Sequence, residues 1–130
     1  MSIRIETRPE NDLTIFTAVG CLTFDDQMSA LCSFYENSPT RFVIWDLSGI
    51  TGSRISTFQL RKIIAYTKQH GEKRPEGVTA LVTSNVLDFG LARMSSSLAD
   101  IEETPWDIVP FKSFDKALRF ILSQREGNES

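Results

Sequence analysis

The densest run of groups able to do chemistry lies between Trp45 and Phe58, WDLSGITGSRISTF, which holds one carboxylate, one guanidinium, two glycines and five hydroxyls. It leaves an apolar block and enters an amphipathic stretch, so unpaired backbone N–H groups and the positive end of a helix dipole are expected near Ser56 or Thr57. Such a place favours an anion or an acidic side chain of another protein. Ser53, Arg54, Ser56 and Thr57 are therefore the candidate partner- or anion-binding residues. A purely structural reading stands beside this one, in which Ser56 caps the helix and Gly49 and Gly52 let the chain turn. GITGSRIS lacks both the Gly-Lys-Ser/Thr of a P-loop and the Gly-x-Gly-x-x-Gly of a dinucleotide fold, so no nucleotide cofactor is expected.

Catalytic sets are harder to assemble. The one histidine, His70, sits in KQHGEK at the close of a helix and reads as an exposed C-terminal cation, with no Ser-His-Asp or Cys-His set around it. Asp25 and Asp26 fall in a first helical turn, where acids complement the dipole, with metal ligation as the lesser alternative. Asp25, Asp26, Asp46, Thr83 and Lys112 imitate the residue order of a phospho-receiver. The acidic pair, however, lies within a helix that leads straight to RFVIWD, where a receiver needs a strand end and a further βα unit. Trp45 and Trp106 sit in apolar runs and read as core.

The elements that must position these residues are legible from periodicity. IRIET and DLTIFTAVG alternate around the turn chemistry of RPEND and read as a hairpin. Phe24, Met28, Leu31, Cys32 and Tyr35 form one face of a helix that Thr23 can cap and NSP can end. RFVIWDL is a short apolar run typical of a central strand covered on both faces. Leu60, Ile63, Ile64 and Thr67 mark a second helix, closed by Gly71. A loop, EKRPE, separates it from the strand VTALVTS. Leu87, Leu91, Met94 and Leu98 mark a third helix, WDIVPF a strand that Pro110 pushes toward an edge, and Phe114, Ala117, Leu118, Ile121 and Leu122 a last helix starting at Ser113. Strands alternating with helices from Arg41 onward predict βαβ units, a mixed but mostly parallel sheet and an α/β fold in one domain over residues 1–124, with 125–130 a frayed tail.

With 130 residues the chain is long enough to bury a core without disulfides, and Cys21 and Cys32 read as reduced, partly buried thiols. No apolar run is long enough to cross a membrane, and MSIRIETRPE places polar residues where a secretion signal needs its hydrophobic segment, so a cytoplasmic protein is expected. A net charge of −3 gives no broad positive field for nucleic acid. The basic cluster KQHGEKR reads as a solvated helix end. A hairpin edge and exposed helix faces leave a homodimer open.

VIWDLSGITGSRISTFQL resembles the corresponding segment of SpoIIAA-like (STAS) domains, the anti-sigma-factor antagonists, in which an Asp-Leu-Ser strand end precedes a helix starting Asp-Ser-Ser-Gly. Asp46, Leu47, Ser48 and Gly49 carry the match, and the order of elements agrees across nearly the whole chain. FGLARM and FKSFDKALRF resemble a divergent bacterial STAS-like or SEC14-like branch. Read without gaps, Arg54 replaces the family's acidic residue, Ile55 its phosphorylated serine, and Ser56 keeps the next serine. The usual serine switch is therefore absent at that position, and a phosphate on Ser56 is a separate hypothesis, motivated by its place at a helix N-terminus where the added charge would be accommodated. The resemblance implies a non-catalytic module for a regulatory protein partner, without a cofactor. The SEC14-like likeness implies an alternative, a carrier or sensor of a small apolar or lipid-like ligand, with Phe89, Leu91, Arg93 and Met94 near its pocket.

Overall fold

The computed structural model describes residues 2–37, 39–53, 56–70, 77–83 and 107–129. Among the described residues, eight strands and α-helices follow one another: β1 (Ser2–Arg8), β2 (Leu13–Leu22), α1 (Phe24–Glu36), β3 (Phe42–Ser53), α2 (Thr57–Gln69), β4 (Val78–Val82), β5 (Asp107–Phe111) and α3 (Phe114–Glu129). The expected third helix, from Leu87 to Leu98, and Trp106 lie outside the described residues. The last helix runs from Phe114 through Glu129.

The five strands lie in the order β1-β2-β3-β4-β5, the first pair antiparallel and the rest parallel. Asp12 closes the hairpin turn with φ of 52°, a left-handed conformation that Asp tolerates better than most residues. Its carbonyl accepts from Phe42 N at 3.0 Å and its carboxylate from Arg41 N at 3.2 Å, which fixes the start of β3 against the hairpin. β3 is central, as its uninterrupted apolar sequence predicts. Alternation divides its side chains between two cores. Phe42 and Ile44 join Leu13, Ile15, Ala80 and Val82 beneath Ala117 and Ile121 of α3. Val43 and Trp45 join Phe16 beneath Leu31, Phe34 and Tyr35 of α1 and Ile63 of α2.

Phe16 is the hinge of the second core. Its ring stacks on Trp45 at 4.2 Å with 7° between planes and meets Phe34 edge-on at 5.6 Å. Trp45 is thus a core residue, as its apolar setting predicts. Each helix starts where its sequence says. Thr23 accepts from Asp26 N, Ser56 from Gln59 N, and Ser113 from Lys116 N. Cys21 and Cys32 are free and half-buried. None of the described helices is long and apolar enough to cross a membrane.

Candidate functional site

The segment that reads as a loop from Ser48 to Thr57 is mostly strand. β3 runs to Ser53, with Gly49 opposite Val19, Ile50 opposite Gly20, Gly52 opposite Cys21 and Ser53 opposite Leu22. Two glycines and several hydroxyls disfavour a strand on propensity alone, but β2 is ten residues long and its last turns of pleat offer a backbone ladder. Pairing in space overrides local preference. Gly49 does not serve a turn: a Cβ there would stand 3.2 Å from the Ala18 carbonyl, beside the irregularity between Thr17 and Val19. It permits close approach of β3 to β2. β4 pairs with β3 only as far as Asp46, so among the described residues the segment from Leu47 to Ser53 is held by β2 alone.

Asp46 ends the part of β3 that is paired on both sides. Its Oδ1 accepts from the backbone N of Ser48 at 3.1 Å and from Ser48 Oγ at 2.6 Å, a local turn-like lock that occupies the carboxylate. Asp25 and Asp26 stay on the exposed first turn of α1, as the dipole argument predicts, and Thr23 donates to Asp26 Oδ2 at 2.6 Å. The acidic pair therefore does not stand at a strand end, and the receiver layout is not formed. Thr83, just past β4, is fully buried and its Oγ1 has no partner among the described residues.

The start of α2 is the best-defined polar corner. Ser56 Oγ accepts from Gln59 N at 3.1 Å while Ser56 N donates to Gln59 Oε1 at 3.0 Å, a reciprocal capping box. The structural reading of Ser56 is therefore realised, and it leaves Thr57 and Phe58 as the exposed residues of the first turn. That turn contains no acidic residue, so the helix does not neutralise its own positive pole. Phe58, which sequence periodicity did not single out, is 67% exposed, with Lys62 Nζ 4.6 Å from the centre of its ring. The signal was available. Phe58 stands about 200° around the helix from Leu60, opposite the buried stripe. Ser53 ends β3 by its backbone, and its side chain, Arg54, Phe89, Leu91, Arg93 and Met94 all lie outside the described residues.

Two other features bear on function. His70 is half-buried, where an exposed position was expected: its ring packs 4.4 Å from Tyr66 and 5.6 Å from Tyr35, because the last turn of α2 leans on α1. His70 also occupies the C-cap position expected for Gly71, which is outside the described residues. Between α1, α2 and the sheet is a cavity of about 60 Å³ whose walls include Leu31, Phe34, Trp45, Leu60, Ile63 and Ile108. A cavity that admits benzene is about 150 Å³, so this space accepts no acyl chain as it stands. No group of three or more metal-ligating side chains occurs among the described residues.

No family model matches the chain, and no curated protein matches it. Solved structures do. An uncharacterised protein of the DUF3478 family with a SpoIIAA-like fold, from Shewanella loihica PV-4, is 22% identical, with 92% of each chain covered and a TM-score of 0.58. The anti-sigma factor antagonist SpoIIAA in its unphosphorylated form is 8% identical, with 94% of this chain and 98% of that one covered and a TM-score of 0.57. Both likenesses cover more than nine-tenths of the chain: it has a SpoIIAA-like fold.

Proposed function

We propose that this chain is a non-catalytic, cytoplasmic interaction module whose regulatory protein partner docks on the start of α2. The observation that carries this reading is Phe58, a large aromatic left two-thirds exposed at a helix start that lacks any acid of its own. Exposed aromatics beside cations are the residue types that dominate protein interfaces when they become buried. Ser53, Arg54, Ser56 and Thr57 supply the polar contacts around it. The likeness to an anti-sigma factor antagonist supports a regulatory partner. Ile55 has no hydroxyl, so docking here does not depend on the serine switch of that family.

The test is affinity capture from the protein's own cells with wild type, Phe58→Asp, Arg54→Glu and a remote control such as Lys116→Glu on α3. A partner retained by wild type and control but lost with both α2-start variants is the expected result. A partner retained by all four chains sinks the proposal. The carrier of an apolar ligand is the second reading, and the apolar-walled space under α1 and α2 is what favours it. Its volume argues for the first reading. Native mass spectrometry of freshly purified chain separates the two, since a carrier retains a lipid-sized mass and a docking module does not.

A further inference from the structure

We propose that β1 pairs antiparallel with β1 of a second copy of this chain, joining two sheets across a two-fold axis at Ile5. Among the described residues β1 is paired on its β2 side alone, and an unpaired strand edge is a template for another strand. The edge is also apolar where it meets α1. Ile5 is 44% exposed, and Ile3, Ile5, Asp26, Ser29, Ala30 and Ser33 line an open groove of about 300 Å³ that the small side chains of α1 leave uncovered.

The sequence of β1 names the occupant. Ser-Ile-Arg-Ile-Glu-Thr-Arg, laid antiparallel on itself about Ile5, sets Arg4 opposite the second copy's Glu6 and Glu6 opposite its Arg4. Ile5 then meets the second copy's Ile5, Ile3 meets Thr7, and Ser2 meets Arg8. The faces agree as well. Ile3 belongs to the core under α1 and Ile5 is paired with Phe16 of that core, so the apolar positions share one face. Arg4, Glu6 and Arg8 share the other, where Glu6 already accepts from Arg8 Nε at 2.6 Å and would lie between two guanidinium groups. Opposite charges directly across a strand pair stabilise it and like charges oppose it. Strands that avoid self-pairing carry like charges or proline. β5, at the other edge, does so: Phe111 turns its carbonyl to Thr83 N, so the missing N–H of Pro110 falls on the outer side.

Sedimentation velocity of the full, untagged chain from micromolar to millimolar concentration tests this. Wild type is expected to dimerise, Arg4→Glu and Glu6→Arg each to raise the dissociation constant about tenfold or more, and the double variant to restore it. A wild type that stays monomeric throughout overturns the proposal. So does a dimer that neither single variant weakens, or a double variant as weak as the singles. The register has its own check. Residues directly opposite in antiparallel strands have Cα atoms roughly 4.5–5.5 Å apart, within disulfide reach. Ile5→Cys in a Cys21→Ser, Cys32→Ser chain is therefore expected to form an oxidised dimer, and a folded variant that does not cross-link overturns the pairing about Ile5. Phe58→Asp is expected to leave the dimer unchanged, which keeps this edge separate from docking on α2.

Discussion

α1 and α2 lie side by side on one face of the sheet and have thirteen residues each, yet they are built to opposite ends. α1 carries Asp25, Asp26 and Glu36 and no cation, while α2 carries Arg61, Lys62 and Lys68 and no acid. Two of the α1 acids stand at its positive pole, where they complement the dipole, and Thr23 closes that start through bonds to Asp26. In α2 the pole has a capping box but no acid in its own first turn, and cations follow in the next turn. The same contrast holds for aromatics: Phe34 of α1 is buried against Phe16, and Phe58 of α2 faces water. The start of α1 is satisfied by its own acids. The start of α2 has no acid of its own and carries an exposed ring, which an acidic protein surface with a pocket for one ring would meet.

The largest effect that separates the two helices is expected from their phenylalanines. Phe34→Ala removes a buried ring and should cost roughly 3–5 kcal/mol in chemical denaturation. Phe58→Ala should change stability by no more than about 0.5 kcal/mol, as for an exposed position. Against the captured partner, however, calorimetry should show a loss on the order of 2 kcal/mol or more for Phe58→Ala. If the two alanine variants destabilise the fold equally, α2 is not the open helix described here.

The caps give a smaller and sharper contrast. Thr23→Ala and Ser56→Ala should each cost about 1 kcal/mol of stability, because each leaves a first-turn N–H without its side-chain acceptor. Partner affinity should fall only for Ser56→Ala, since α1 starts with its own acids and takes no part in docking. Equal loss of binding in both would mean that capping acts through global stability and not through the surface of α2.

How much of this was visible in the sequence depends on what each residue must satisfy. Leu60, Ile63, Ile64 and Thr67 are all buried, as helical spacing predicts, because a stripe of that width has one stable place, against the sheet. Thr23 and Ser113 cap the helices they precede, because an orphan N–H and a nearby hydroxyl need no distant partner. The end of β3 was not legible. Its residues from Ser48 to Ser53 are poor strand formers, and only the length of β2 beside them makes them a ladder. The same limit applies to Phe34, which falls off the predicted α1 stripe yet is buried, because Phe16 and Trp45 widen the apolar surface on which that helix rests. At the candidate site, Ser56 was legible as a cap. The exposure of Phe58 required the helix to be rotated first by its inner stripe.

Where the two helices meet, the Tyr66 phenol of α2 lies near the Cys32 thiol of α1, and that junction makes the smallest prediction. The Tyr66 phenol on α2 is pushed up to about 12, first by its hydrogen bond with the Cys32 thiol on α1, then by burial, then by the nearby charges of Cys32, Glu36 and Tyr35. An unfolded tyrosine loses its proton near 10, so between about 10 and 12 the unfolded chain has fewer protons bound than the folded one, and stability falls as pH rises through that window. Below it the contribution is complete. Ultraviolet titration of a Tyr35→Phe chain, in which Tyr66 is the one phenol, should show a raised midpoint, and adding Cys32→Ala should lower that midpoint toward the ordinary value. A midpoint unmoved by Cys32→Ala would assign the shift to burial by α2's own neighbours, and the junction would then no longer join the closed helix to the open one through this bond.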